Sequence, residues 1–199
     1  DDMGKKHNST ILATGVNPGF LMDYLPTIIT SLCHSVETIT VNRVQDASLR
    51  RVPFQRKIGA GISQDEFHKS VQAGTLKHVG LPESVHYIAH VLGLDIDSVQ
   101  EDIQPVMDDA TVQGVQQQAR GMQGKQSRIE LNFIASMNNP NPQDTIIIQG
   151  KPNCELRIAP EVNGDIATTA VTVNAIASVL QARPGLQTMA SIPPVHYWS

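Results

Sequence analysis

Five segments in the second half of the chain alternate apolar and polar residues with period two. This run constrains the fold more tightly than any other feature. Residues 99–107, 112–123, 127–137, 144–150 and 154–159 each read as a strand. In the clearest of them Ile129, Leu131, Phe133, Ala135 and Met137 share one face, while Glu130 and Asn132 occupy the other. Asn138-Asn139-Pro140-Asn141-Pro142 and Gly150-Lys151-Pro152-Asn153 are turns. Consecutive strands of this kind predict a largely antiparallel, one-sided sheet that must bury its apolar face under helices.

The helices come from the rest of the chain. Thr10-Ile11-Leu12-Ala13-Thr14 is a short apolar strand broken by Gly15-Val16. Asn17 is placed to cap a helix with Pro18 at its first position. Phe20, Leu21, Tyr24, Leu25, Ile28, Ile29 and Leu32 carry a helical stripe to about residue 34, with a kink expected at Pro26. A strand follows over 36–47, then an irregular stretch over 48–62. Ser63-Gln64-Asp65-Glu66 has capping-box spacing and predicts a helix over 64–73, ended by Gly74. Pro82 opens another helix, with Val85, Ile88, Ala89, Val91 and Leu92 apolar and Gly93 as its stop. A last helix runs from Asn163-Gly164-Asp165 to about residue 182. Its small-residue stripe (Ile166, Ala170, Val173, Ala177, Leu180) suits close packing on a neighbour, and the aromatic tail ending in Tyr197-Trp198 is expected to dock on the body. The expected class is α+β, with a mixed, largely antiparallel sheet, helices on one face, and no Rossmann domain.

Charge removes several functions. The net charge of −4 argues against nucleic acid, and the densest basic cluster, Arg50, Arg51, Arg56 and Lys57, is too compact to track a phosphate backbone. No apolar run approaches the ~18 residues of a membrane span. The opening Asp1-Asp2-Met3-Gly4-Lys5-Lys6 has no apolar core of a secretory leader, so a cytoplasmic protein is expected. Cys33 and Cys154 stand without CxxC spacing and read as buried free thiols. Charged residues make up 17% of the chain, against a usual ~25%, which suits burial against other subunits; a homo-oligomer is expected. The first ten residues read as a frayed helix end leading into a strand with no upstream partner, and residues preceding Asp1 are expected.

No GxGxxG and no GxxxxGK[ST] occurs, so neither common phosphate cradle is present. Gly59-Ala60-Gly61 follows a basic irregular segment rather than a strand. His86 and His90 lie four apart but lack the Glu of HExxH, and no metal is expected. Two places stand out. In Asn17-Pro18-Gly19-Phe20, with Asp23 a turn later, the cap explains Asn17 and Pro18. Gly19 costs about 1 kcal/mol inside a helix and implies a close approach to the backbone. The stretch from Asp46 to Lys57 gathers Ser48, Arg50, Arg51, Gln55, Arg56 and Lys57. It is either a solvated charge run or the donor set of a substrate carboxylate. Glu83-Ser84 either caps its helix or binds an amine.

Gly15-Val16-Asn17-Pro18-Gly19-Phe20-Leu21-Met22-Asp23, Asp46-Ala47-Ser48 with Arg50-Arg51, Lys57-Ile58-Gly59-Ala60-Gly61 and His78-Val79-Gly80-Leu81-Pro82-Glu83-Ser84 resemble, in that order, the 2,4-diaminopentanoate dehydrogenase family. The closing Ile192-Pro193-Pro194-Val195-His196-Tyr197 resembles that family's end. These enzymes are relatives of dihydrodipicolinate reductase. The resemblance implies a Rossmann domain that binds NAD or NADP, absent here, and an α+β domain that binds substrate and builds the oligomer. Residues 1–14 would be the residue of, or connection from, the Rossmann part, and 15–199 the substrate domain. It further implies oxidative deamination of an amino acid or diamino acid, or the reverse, with this chain inactive alone. Asn17, Pro18 and Gly19 would then lie by the nicotinamide, and Asp23 would hold the substrate ammonium or take its proton. Arg50 and Arg51 would bind the carboxylate, supported by Gln55 and Lys57, Ser84 would also bind substrate, and His78 and Glu83 would be proton handlers. The rival readings are a stand-alone binding or oligomerisation module and a reductase of a cyclic imine. Against the latter, the His-His and Lys-rich loop of dihydrodipicolinate reductase has no counterpart here. Because no phosphate loop is present, calorimetric titration of this chain should show no micromolar binding of NAD or NADP; such binding would sink the substrate-domain reading.

Overall fold

The computed structural model describes residues 1–198. A six-stranded sheet forms its body. In sequence order its strands are β2 (Ser35–Asp46), β3 (Ser98–Asp108), β4 (Thr111–Gln123), β5 (Gln126–Ser136), β6 (Gln143–Lys151) and β7 (Cys154–Ile158). In space they run β3-β4-β5-β2-β6-β7. Only β2 and β5 pair in parallel, so β2 is inserted into what would otherwise be an antiparallel meander. The mixed α+β class is as expected.

Alternation places the core. Ile39 and Val41 of β2, Val115 and Ala119 of β4, Ile129, Leu131 and Phe133 of β5, and Ile146 and Ile148 of β6 are buried on one face. They belong to one cluster with Leu81, Val85 and Ile88 of α5 (Leu81–Leu92). Helix α5 begins after Gly80 and stops at Gly93, the two glycines standing at φ 112 and 63. The opposite face is polar and wired across the strands. Asn42 donates to Thr145, Asn132 to Asn42, and Gln118 to both Asn132 and Glu130. Helix α4 (Gln64–Gln72) starts at Ser63, whose hydroxyl accepts from Glu66 N.

Around residue 20 the structure departs from expectation. Asn17 caps nothing; residues 17–23 form turns, and α2 covers only Tyr24–Ile29, capped by Asp23. Gly19 sits at φ +126, which a right-handed helix cannot accommodate. What approaches it is the chain itself: a Cβ there would lie 2.7 Å from Gly15 N. Pro26 falls in the first turn of α2, where its missing N–H forfeits no helical bond, so it bends nothing. The irregular stretch over 48–62 contains a short helix, α3 (Val52–Lys57), too brief to show a stripe.

A second layer lies at the termini. The helix α1 (Asp2–Lys6) precedes β1 (Thr10–Leu12), whose partner comes from downstream, the parallel β8 (Gly185–Gln187). Helix α6 (Gly164–Gln181) starts at Asn163, whose side chain accepts from Asp165 N and Ile166 N. Its small-residue stripe faces outward: Ile166 is 72% and Leu180 78% exposed, because Gly164, Ala175 and Ser178 make the inward contact instead. The tail touches the body through Ser178 Oγ donating to Pro194 O and Trp198 N to Asn174 Oδ1, but its aromatic side chains stay exposed, Tyr197 at 80% and Trp198 at 44%. Cys33 and Cys154, remote in sequence, are free and half-buried with sulfurs 3.7 Å apart.

Gly80 joins this framework to the region described next. It holds φ +112, and a Cβ there would meet the Pro18 ring at 2.6 Å. Gly80→Ala should therefore cost about 2–4 kcal/mol, backbone strain plus a steric clash. Gly74→Ala, at φ +71 with nothing within 4 Å, should cost only the strain, about 1 kcal/mol. Urea unfolding of both variants checks this, and equal losses would mean that the Pro18 contact gives way freely.

Candidate functional site

Two cavities adjoin at the end of the sheet's helical face. The first, about 520 Å³, is lined by 13–19, Asp23, Glu83, Tyr87, Thr168 and 186–189. The second, about 430 Å³, is lined by Arg43, Gln45, Arg50, Arg51, Phe54, Lys57, His78, Phe133 and the start of α6. Val16, Asn17 and Thr168 belong to both, so Asn17 stands in the wall between them.

Asp23 builds that wall. Its carboxylate is 3% exposed and accepts from Gly19 N at 2.7 Å, Tyr24 N at 2.7 Å and Ser84 Oγ at 2.9 Å. Burial raises its pKa, and the bonds from Gly19, Tyr24 and Ser84 oppose the shift. Ser84 is thus a tether between α5 and the 15–23 loop, and caps no helix. Glu83 is exposed in the first turn of α5, on the rim of the first cavity. Tyr87, one turn further along α5, places a buried hydroxyl there; burial raises its pKa, and the charge of Asp23 adds to the effect.

His78 is held on three sides. Its ring stacks on Phe133 with centroids 4.2 Å apart, and its backbone N and O bond the side chain of Gln117. Asn17 Nδ2 lies 2.9 Å from His78 Nε2, which therefore accepts and leaves the proton on Nδ1. Asn17 Oδ1 is buried without a partner. Burial, then the charges of Lys57, Arg43 and Arg50, lower the His78 pKa to about 3. It is neutral at physiological pH and lines the second cavity.

The basic segment splits into wall, rim and brace. Arg50 is only 7% exposed; its Nε bonds Asp165 at 3.0 Å, its Nη1 bonds Gln45 at 3.2 Å, and its guanidinium lies 4.2 Å above the Phe54 ring. Arg51 is 73% exposed and reaches the same Asp165 from the rim. Those two arginines hold the Asp165 carboxyl below its usual range, chiefly through the Arg50 hydrogen bond. Gln55 turns away and donates to Ala47 O and Arg50 O, bracing the loop. Lys57 closes the second cavity at the end of α3.

The sequence reading missed Arg43, Gln45, Asp165 and Tyr87. For Arg43 and Gln45 the signal was present: the buried positions of β2 run Ile39, Val41, Arg43, Gln45, so charge replaces apolar side chains in a core register. His86 and His90 are exposed, and among the described residues no group of His, Cys, Asp or Glu is placed to hold a metal. Nor, among these residues, is any helix long and apolar enough to cross a membrane.

The fold recurs in a solved structure. A solved amine dehydrogenase from Mycobacterium smegmatis superposes with a TM-score of 0.84 at 17% identity, over 100% of this chain and 63% of that one. Residues 20–198 match the model of the 2,4-diaminopentanoate dehydrogenase C-terminal domain, and the chain belongs to that family. It is 32% identical to the 2,4-diaminopentanoate dehydrogenase of Acetoanaerobium sticklandii, over 97% of this chain and 60% of the relative. It is 23% identical to an amine dehydrogenase of Streptomyces virginiae, over 92% and 60% respectively. The chain thus spans about three fifths of the length of these curated relatives.

The neutral His78 has a consequence for stability. Unfolded histidine titrates near 6.5 and His78 in the fold near 3, so the unfolded state binds the extra proton between these values. Stability is therefore full above pH 6.5 and falls as pH drops. His78 alone should remove about 2 kcal/mol between pH 7 and pH 5. Chemical unfolding at the two pH values should show that loss shrinking by most of this amount in His78→Gln; an unchanged pH slope would contradict the assigned burial.

Proposed function

We propose that this chain is the substrate-holding domain of an NAD- or NADP-dependent dehydrogenase that deaminates a small amino acid or diamino acid, or runs the reverse reaction. The observation that carries the reading is the adjacency of the two cavities across Asn17, one cation-rich and one apolar. A bipolar substrate fits that pair, with its carboxylate in the basic cavity and its amine at the shared wall. Asn17 Oδ1, buried and unpartnered, is an acceptor for the amine N–H. Asp23 lines the same cavity as Asn17 and adds the negative charge that favours an ammonium there.

The apolar cavity suits the flat ring of a nicotinamide, which Asn17, Pro18 and Gly19 would hold against Tyr87, Thr188 and Met189. The nucleotide's phosphates find no cradle among these residues and belong to a Rossmann half of the kind the family resemblance implies. When bound, the cofactor supplies the two-electron acceptor for the amine-bearing carbon. This chain's residues bind, orient and exclude water. Glu83 on the rim of the first cavity takes up the proton released as the amine is converted. His78 remains neutral and donates a hydrogen bond from Nδ1. Arg50 shapes the pocket, with Arg51, Gln55, Lys57 and Ser84 supporting. The family relationship to 2,4-diaminopentanoate dehydrogenases favours a diamino acid as substrate.

The full-length protein should reduce NAD or NADP when given 2,4-diaminopentanoate, followed by the absorbance of the reduced cofactor. Lysine cannot reproduce the bridge from Asp165 to Gln45 or the stack on Phe54. Arg50→Lys should therefore cost about 1–3 kcal/mol in kcat/KM, while Arg51→Lys, on the exposed rim, should cost under ~0.5 kcal/mol. No turnover of any amine or amino acid would end the proposal, and equal losses at the two positions would end this division of roles.

A further inference from the structure

Arg43 and Phe133, on the floor of the basic cavity, belong to one row of residues crossing the sheet. Gln117 of β4 pairs with Phe133 of β5, Phe133 with Arg43 of β2, and Arg43 with Asp144 of β6. On one side of this row the inner face is apolar. At the row it turns polar, and the centre of the change is Arg43.

Arg43 is 1% exposed, among the largest fully buried side chains. Its bonding is incomplete. Nη2 donates to Val162 O at 2.9 Å, but Nε and Nη1 have no partner. The facing carboxylate, Asp144, is also buried, yet its Oδ1 stands 3.9 Å from Arg43 Nε, beyond a hydrogen bond, and is itself unpartnered. Asp144 Oδ2 is spent on Val162 N at 2.8 Å. A guanidinium sealed in the interior with two idle nitrogens is costly unless an anion meets it. Four cations line this cavity, Arg43, Arg50, Arg51 and Lys57, against one carboxylate, Asp165. Asp165 is already bonded to Arg50 and Arg51. Among the described residues Lys57 has no carboxylate partner, so the cavity beside Arg43 keeps a surplus of positive charge in a protein whose net charge is −4.

We infer that Arg43 is the anchor for the substrate's carboxylate, and so the residue that makes this site select an amino acid over a simple amine. The inference rests on the proposed dehydrogenase function and deepens it. Arg50 and Arg51, the arginines that the charge pattern singles out, act as wall and rim, because their guanidinium groups are committed to Asp165. A carboxylate on the floor gives Arg43 the second anion that Asp144 supplies only at a distance. It also fixes the substrate's direction, acid end against β2 and amine end toward Asn17.

The test uses this chain itself, whose residues line the basic cavity. Calorimetric or NMR titration compares 2,4-diaminopentanoate with pentane-2,4-diamine, in which a methyl replaces the carboxylate, and with inorganic phosphate. The diamino acid should bind at least about thirtyfold more tightly than the diamine, the scale of a buried charge pair losing one partner. Arg43→Gln should abolish that preference. Because this variant strands Asp144 in the interior, the double variant Arg43→Gln/Asp144→Asn, checked by circular dichroism, provides a neutral and foldable floor. It too should bind acid and diamine alike, whereas Arg50→Lys should keep most of the preference. The inference is overturned if the folded double variant still prefers the diamino acid, if the diamine binds the unaltered chain as tightly, or if phosphate binds better than the carboxylate. Turnover separates the two proposals. Amine oxidation by the full-length protein without a carboxylate preference removes Arg43 as anchor and leaves the dehydrogenase standing. Arg43-dependent binding without turnover does the reverse.

Discussion

The site depends on one buried carboxylate. Asp23 accepts from two backbone amides of its own loop and from the hydroxyl of Ser84 on α5, so it ties an irregular segment to the most deeply packed helix of the protein. Hydrogen bonds to an ionised group are stronger than neutral ones, and here three of them converge where water is excluded. The loop they hold contains Asn17, and Asn17 is what separates the two cavities. The close contact of Gly80 with Pro18 presses the same loop from the other side. Without Asp23 the residues of both cavities would remain, but the boundary between them would not be defined.

A second constraint is electrostatic. Surface ion pairs contribute little, but at this site the pairs are partly or wholly buried and unequal. Arg50 and Arg51 share Asp165, Arg43 faces Asp144 without touching it, and Lys57 has no carboxylate within the cavity. Burial first, and then the same positive surroundings, keep His78 neutral. Preorganisation here takes the form of charge left unbalanced, with the imbalance confined to one floor and one wall.

The large elements were legible in the sequence because each carries its own period. All five downstream strands, α4, α5 and α6 lie within a few residues of the positions that alternation, capping and glycine stops indicate. Their order in the sheet was not legible, since nothing local in residues 35–46 says that they lie between β5 and β6. The 15–23 loop misled for a related reason: Pro18 and the apolar stripe favour a helix, whereas Gly19 stands at φ +126 and the long-range bond from Ser84 to Asp23 helps hold the segment as turns. Of the candidate residues, Asn17, Asp23, Arg50, Lys57 and His78 were found from composition and resemblance, and they do gather around the two cavities. Gln55 was placed there by its chemistry but braces the loop instead. Arg43 was passed over because it sits in a strand, outside the charged run, although an arginine in a core register is a stronger anomaly than an arginine among other charges.

The insertion of β2 between β5 and β6 also bears on how the chain reaches this structure. Its neighbours begin some ninety positions later, so the middle of the sheet is closed only by contacts that span nearly half the sequence. Closing such long loops precedes any reward from pairing, and topologies of this kind fold slowly. The hairpin of β3 with β4, and β5 beside them, form from local contacts, whereas β5 and β6 must leave a gap one strand wide rather than pair with each other. During synthesis β2 emerges early, apolar on one face and open along both edges, and waits for most of the domain to follow. The strand that carries Arg43 can thus be paired along both edges only once β5 and β6 have been made, and the residues around Arg43 come together only then.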